Sequence, residues 1–299
     1  MYLLKRKRFC MLLLLIIIYG QRIATAQDDD WPRRVLITND NGIDDIKIIE
    51  LARAFSRVAE TVVVAPMEDR SGASSYMPLL LNKQVRVEKR NIGHGVEAYA
   101  VDGFPADCVL LGLTGIMYDD PPDLVVSGIN GGANLGQDWF GSGTVGAARV
   151  AAFAGFPALA VSGLDDDFPE SVKAANSWVV KLAQSPVLRS LQKGQYLTVS
   201  IPRIAPDQIK GVRVSRRAGL RRLPLLTPMH TDTADYAGIV WHISGVEQVD
   251  DGISGQTDVS IYEAGYVVLV PMMSYEDISL PLKIHEKDIP QWPYLQADD

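Results

Sequence analysis

The chain is poor in the residues that would make its chemistry obvious. It has two cysteines and four histidines in 299 residues. Cys10 lies in a leader-like N-terminus, so Cys108 has no partner for an internal disulfide. No histidine falls in a zinc-type cluster. Basic charge is also scarce: the net charge is -7. A surface for nucleic-acid polymers normally needs a basic field, so that class of partner is disfavoured and none is expected. No run beyond the N-terminus is apolar and long enough for a membrane-spanning helix.

Several common motifs are missing too. "GSGTVG" lacks the Gly-Lys-Ser/Thr ending of a P-loop and the Gly-x-Ser-x-Gly spacing of a nucleophile elbow. No Gly-x-Gly-x-x-Gly follows the first strand, which removes the dinucleotide fingerprint. The run Asp40-Asn41-Gly42-Ile43-Asp44-Asp45 places its glycine too early for an EF-hand, and Leu51 stands where the closing glutamate belongs. Gly42, two residues after Asp40, fills the place where an aspartyl-phosphate phosphatase has its second aspartate.

What is present begins with "MYLLKRKRFCMLLLLIIIYGQRIATA", in which basic, apolar and small-residue regions follow one another as in a cleavable export signal. Residues 1–26 are therefore set aside as an expected signal peptide, because the apolar core is about half the ~20 residues a span needs. An uncleaved anchor is the alternative, and the expectation is an exported protein, periplasmic or secreted, with no membrane span after cleavage. Apolar, β-branched runs at 34–39, 61–66, 96–101, 123–128, 157–163 and 196–202 alternate with helical patterns at 46–59, 106–117, 144–154 and 170–183. Continuous rather than alternating apolar strands suit a parallel sheet covered on both faces. The expectation is an α/β, three-layer, Rossmann-like core over about 33–203, mostly parallel, followed by a β-rich arm over about 204–299.

In such a fold ligands bind beyond the carboxyl ends of the strands. Three loops there are dense in small polar residues: Asn39-Asp40-Asn41-Gly42, "EDRSGASS" (68–75) and "SGINGGANLGQDWFGSGTVGAA" (127–148). Asp40 offers an anionic oxygen, and Asn41, Ser71 and Asn130 offer neutral ones. That mixture suits Mg²⁺, Mn²⁺ or Ca²⁺ rather than zinc, and each residue taken alone is equally at home in a turn. Ser142, Gly143 and Thr144 open a helix, whose free N–H groups and dipole favour an anion.

Taken in order, "LITNDNGI", "VVAPMEDRSGAS", "VDGFPADCVLLGL", "PDLVVSGINGGANLG" and "SGTVGAA" resemble the SurE-type (survival protein E) nucleotidases, over roughly residues 34–163, with a weaker echo in "TDVSIYEAGYVVLVP". The resemblance implies a metal-dependent phosphomonoesterase acting on nucleoside 5'- and 3'-monophosphates, with one divalent cation per subunit and a C-terminal arm that builds a homodimer or homotetramer. Asp40, Asn41, Ser71 and Asn130 would hold the cation. Asn134, Ser142, Gly143 and Thr144 would line the phosphate pocket, with Asn39 supporting the first loop. Asp40, the one strong carboxylate of the set, is the candidate catalytic residue, although a metal-bound aspartate is a poor base. The chain departs from the family at Asn41, where a second aspartate is usual, and at Ser200, where asparagine is common. Those departures keep a second expectation in play, a non-catalytic or weakly active protein that binds nucleotide or phosphate.

Overall fold

The computed structural model describes residues 30–164, 169–219, 221–233, 236–249, 256–275 and 285–290. Residues 1–26, read above as a signal peptide, lie outside the described residues. Among the described residues no helix is long and apolar enough to cross a membrane.

β1 (Arg34–Thr38) has four fully buried residues, and β2 (Glu60–Pro66) buries all but its first. Such strands bury side chains on both faces, and each fully buried valine, leucine or isoleucine contributes about 1.5–3 kcal/mol. They pair in parallel with β4 (Glu97–Val101), β5 (Leu124–Asn130), β6 (Ala158–Ser162) and β7 (Gln195–Ser200) in the order β4-β2-β1-β5-β6-β7. These six strands are the six apolar runs of the sequence.

β3 (Val87–Arg90) closes one edge, antiparallel to β4. At the other edge β11 (Val267–Met273) runs antiparallel to β7, and β8 (Val212–Val214) runs parallel to β11. The nine-stranded main sheet therefore takes strands from both sides of residue 203.

α1 (Ile46–Phe55) packs with α4 (Pro169–Ala183) on one face of the sheet. α2 (Pro105–Leu111) packs with α3 (Gly143–Phe153) on the other, where Cys108, Val109, Val145 and Ala148 meet Leu36, Val62 and Val64. The sequence pattern ran α2 on to residue 117; the structure ends it at Leu111 and continues in a wider π turn over Gly112–Ile116. Gly112 sits against the Leu36 side chain so tightly that a Cβ would lie 2.6 Å from its Cδ2, so any larger residue there would force Leu36 to shift.

The rest of the arm is a long antiparallel hairpin of β9 (Arg221–Thr233) and β10 (Tyr236–Val249). α5 (Asp258–Glu263), capped by Thr257, leads from it back into β11. Along the hairpin Leu225, Leu226, Ile239, Trp241, Ile243 and Val246 are all exposed.

Candidate active site

The parallel strands end together, and their loops enclose a cleft of about 1110 Å³. Its walls include Asp40, Asn41, Ser71, Asn130, Asn134 and Ser142.

The loop after β1 is closed by its own asparagine. Asn39 Nδ2 donates to the Gly42 carbonyl at 2.8 Å, and Gly42 N–H donates to Asn39 Oδ1 at 3.2 Å. Gly42 adopts φ +104°, a left-handed region that side chains avoid, and a Cβ there would also lie 3.2 Å from the Glu68 carbonyl carbon. The chain thus turns beneath Asp40, whose carbonyl accepts from Arg70 N–H at 2.7 Å and so ties the first loop to the second.

The Asp40 carboxylate is 2% exposed, yet it faces the cleft. Thr144 holds it twice: the hydroxyl donates to Oδ1 at 2.7 Å and the backbone N–H donates to Oδ2 at 3.0 Å. Burial pushes the carboxyl above the usual aspartate range, and the two Thr144 donations pull the other way. Gly143 packs against the same side chain, and a Cβ at that position would come within 2.9 Å of the Asp40 Cβ. Beside it Asn41 Oδ1 is buried and accepts no hydrogen bond. A buried acceptor without a donor is costly unless a ligand completes it.

Ser71 is exposed on the second loop, where its N–H is fixed by Asp69 Oδ1 at 2.7 Å. Asn130 ends β5, and its Nδ2 donates to the Gly132 carbonyl at 2.7 Å, which leaves its Oδ1 for a ligand. The cleft therefore gathers one carboxylate and several neutral oxygens, a donor set that fits a hard divalent cation. Among the described residues no group of three or more His, Cys, Asp or Glu side chains could hold a metal.

At the start of α3, Ser142 caps the helix, accepting from Val145 N–H at 3.1 Å, and its hydroxyl proton remains free to donate. Asn134 is buried and donates through Nδ2 to Ser162 Oγ at 2.7 Å. Thr144 is 0% exposed and spends both donors on Asp40, so the structure places it behind the carboxylate rather than on the cleft wall.

The sequence reading missed a strut beneath the third loop. Asp258, fully buried, accepts from Ala218 N–H at 2.6 Å, Gly136 N–H at 2.8 Å and the Arg217 guanidinium at 3.2 Å. Arg217 also donates to the Asn134 carbonyl and, at 2.8 Å, to Thr198 Oγ1. This ion pair joins the Asn134 loop to the base of the hairpin. Its only signal in the sequence was the Thr257-Asp258 start of a helix, which reads as a cap and not as a contact 122 residues away.

The family model described as "Survival protein SurE" matches residues 35–222. The chain belongs to the SurE family. Two relatives named "5'-nucleotidase SurE" come from Aeromonas hydrophila subsp. hydrophila and Ectopseudomonas mendocina (strain ymp). They are 35% and 36% identical over 239 residues, covering 80% of this chain and 91% of each relative. The crystal structure of the SurE protein from Aquifex aeolicus superposes with a TM-score of 0.66 at 29% identity, covering 82% of this chain and 95% of that one. The three polar loops read from the sequence meet at this cleft.

Proposed function

We propose that this SurE-family chain is an exported, metal-dependent phosphomonoesterase that hydrolyses nucleoside 5'- and 3'-monophosphates to nucleoside and phosphate. The activity is supported by the naming of its relatives as 5'-nucleotidases. The carrying observation is local: a buried carboxylate, doubly held by Thr144, stands beside an unpartnered buried amide oxygen at the foot of a nucleotide-sized cleft.

Asp40, Asn41, Ser71 and Asn130 would hold one Mg²⁺, Mn²⁺ or Ca²⁺ ion. Bound there, a divalent cation supplies Lewis acidity toward a phosphoryl oxygen and toward water. The chain's own residues do the rest. Thr144 fixes the carboxylate in one orientation, and Ser142, Asn134 and the Gly143 N–H would offer donors to the phosphoryl oxygens. The strut of Arg217 and Asp258 holds the Asn134 loop in place. The exposed apolar side chains of the hairpin support assembly into a homodimer or homotetramer, since patches of that kind mark interaction surfaces.

The test is phosphate release from nucleoside monophosphates with each cation, with chelator, and in Asp40→Ala. Release that needs the cation and disappears in Asp40→Ala supports the reading. A second reading has its own observation: Asn41 leaves the cation set with a single carboxylate. On that reading the protein binds nucleotide or phosphate without turnover, and the same assay would return binding without release.

A further inference from the structure

We propose that Phe140, backed by Trp139, is the platform on which the nucleobase of the substrate stacks. The inference rests on the proposed function and deepens it, because it concerns the end of the cleft remote from the phosphate.

Drug-sized ligand sites run roughly 300–1,000 Å³, so a cleft of about 1110 Å³ is far larger than a phosphoryl group needs. Trp139 and Phe140 both line it, three and two residues before the Ser142 cap. The two rings are built differently. Trp139 is half-buried: it packs against the main core, and the Arg149 guanidinium lies 4.8 Å from its ring centroid. Phe140 meets Trp139 edge to face, centroids 5.5 Å apart at 76°, and leaves 70% of its surface exposed.

That exposure is not looseness. The Phe140 carbonyl accepts from Ser74 Oγ at 2.8 Å, and the next carbonyl, Gly141, accepts from Ser74 N–H at 2.9 Å. The backbone is pinned to the second loop while the ring stands in the cleft. A large apolar ring held in that way loses little freedom when a flat π-face covers it, and every nucleobase has such a face.

The experiment compares adenosine monophosphate with ribose 5-phosphate, which carries the phosphate and sugar without the base. Steady-state KM and calorimetric binding are measured with cation for wild type, Phe140→Ala and Phe140→Tyr. The preference for the nucleotide over the sugar phosphate should fall about tenfold or more in Phe140→Ala, the scale of one lost base stack, and should be kept in Phe140→Tyr. An equal change for both ligands, or an unchanged preference, overturns the platform. So does an altered assembly size by light scattering with the preference intact, which would make Phe140 a subunit contact. Because binding is read separately from turnover, an inactive wild type defeats the proposed hydrolysis, while the platform stands or falls on the binding preference alone.

Discussion

Thr144 offers the sharpest perturbation. Its hydroxyl sits 2.7 Å from Asp40 Oδ1 and its N–H 3.0 Å from Oδ2, inside a pocket where neither residue is appreciably exposed. Thr144→Val keeps the volume and the backbone donor but replaces the hydroxyl by a methyl group. A hydrogen bond to a charged group contributes about 1.5–3 kcal/mol. At 1.4 kcal/mol per tenfold, losing it should weaken cation binding roughly 10- to 100-fold. Turnover at fixed cation should fall with it, whereas Thr144→Ser should retain most of both. Cation titration by calorimetry, followed by phosphate release at saturating cation, measures the two effects separately. The reasoning is refuted if Thr144→Val titrates cation like the wild type but binds inorganic phosphate poorly. That result would return Thr144 to the substrate pocket.

Three further outcomes follow from the geometry. Asn41→Asp supplies the carboxylate usual in SurE proteins and should tighten cation binding by about 1–3 kcal/mol; an unchanged titration removes residue 41 from the cation set. Asp258→Ala strands the buried Arg217 guanidinium and the Gly136 and Ala218 N–H groups. Its cost should be about 3–5 kcal/mol, visible in denaturant unfolding, and a loss below about 1 kcal/mol contradicts the strut. In protein stripped of cation, burial holds the Asp40 carboxyl above its unfolded value. Its contribution to stability is therefore full below the unfolded aspartate pKa and lost as pH rises through the folded one. Asp40→Asn should remove that part of the pH dependence in chelator-treated unfolding curves.

The parallel core was legible because its strands are buried on both faces, which writes continuous runs such as "VLIT" and "TVVVAP" into the chain. Edge strands leave a fainter record. β3 alternates exposed and half-buried residues, and β8 is three residues long, so neither stands out by composition. The hairpin's described apolar residues are exposed, and its length of strand does not follow from periodicity.

At the site, the first loop could be read from Asp40, Asn41 and Gly42 because glycine and short polar residues announce a turn. What the sequence could not assign was direction. Thr144 at a helix start suits a phosphate as well as a carboxylate, and only its two hydrogen bonds to Asp40 in the folded chain show where its donors go. Arg217 and Asp258 meet residues far away in the chain, so their roles emerge only from the fold.

The most direct test is phosphate release from adenosine monophosphate by the wild-type protein and by Asp40→Asn, each with divalent cation, with chelator, and with cation restored. The account predicts release by the wild type that chelation abolishes and added cation restores, with none from Asp40→Asn under any condition. Release that survives chelation, or that persists in Asp40→Asn, would contradict it.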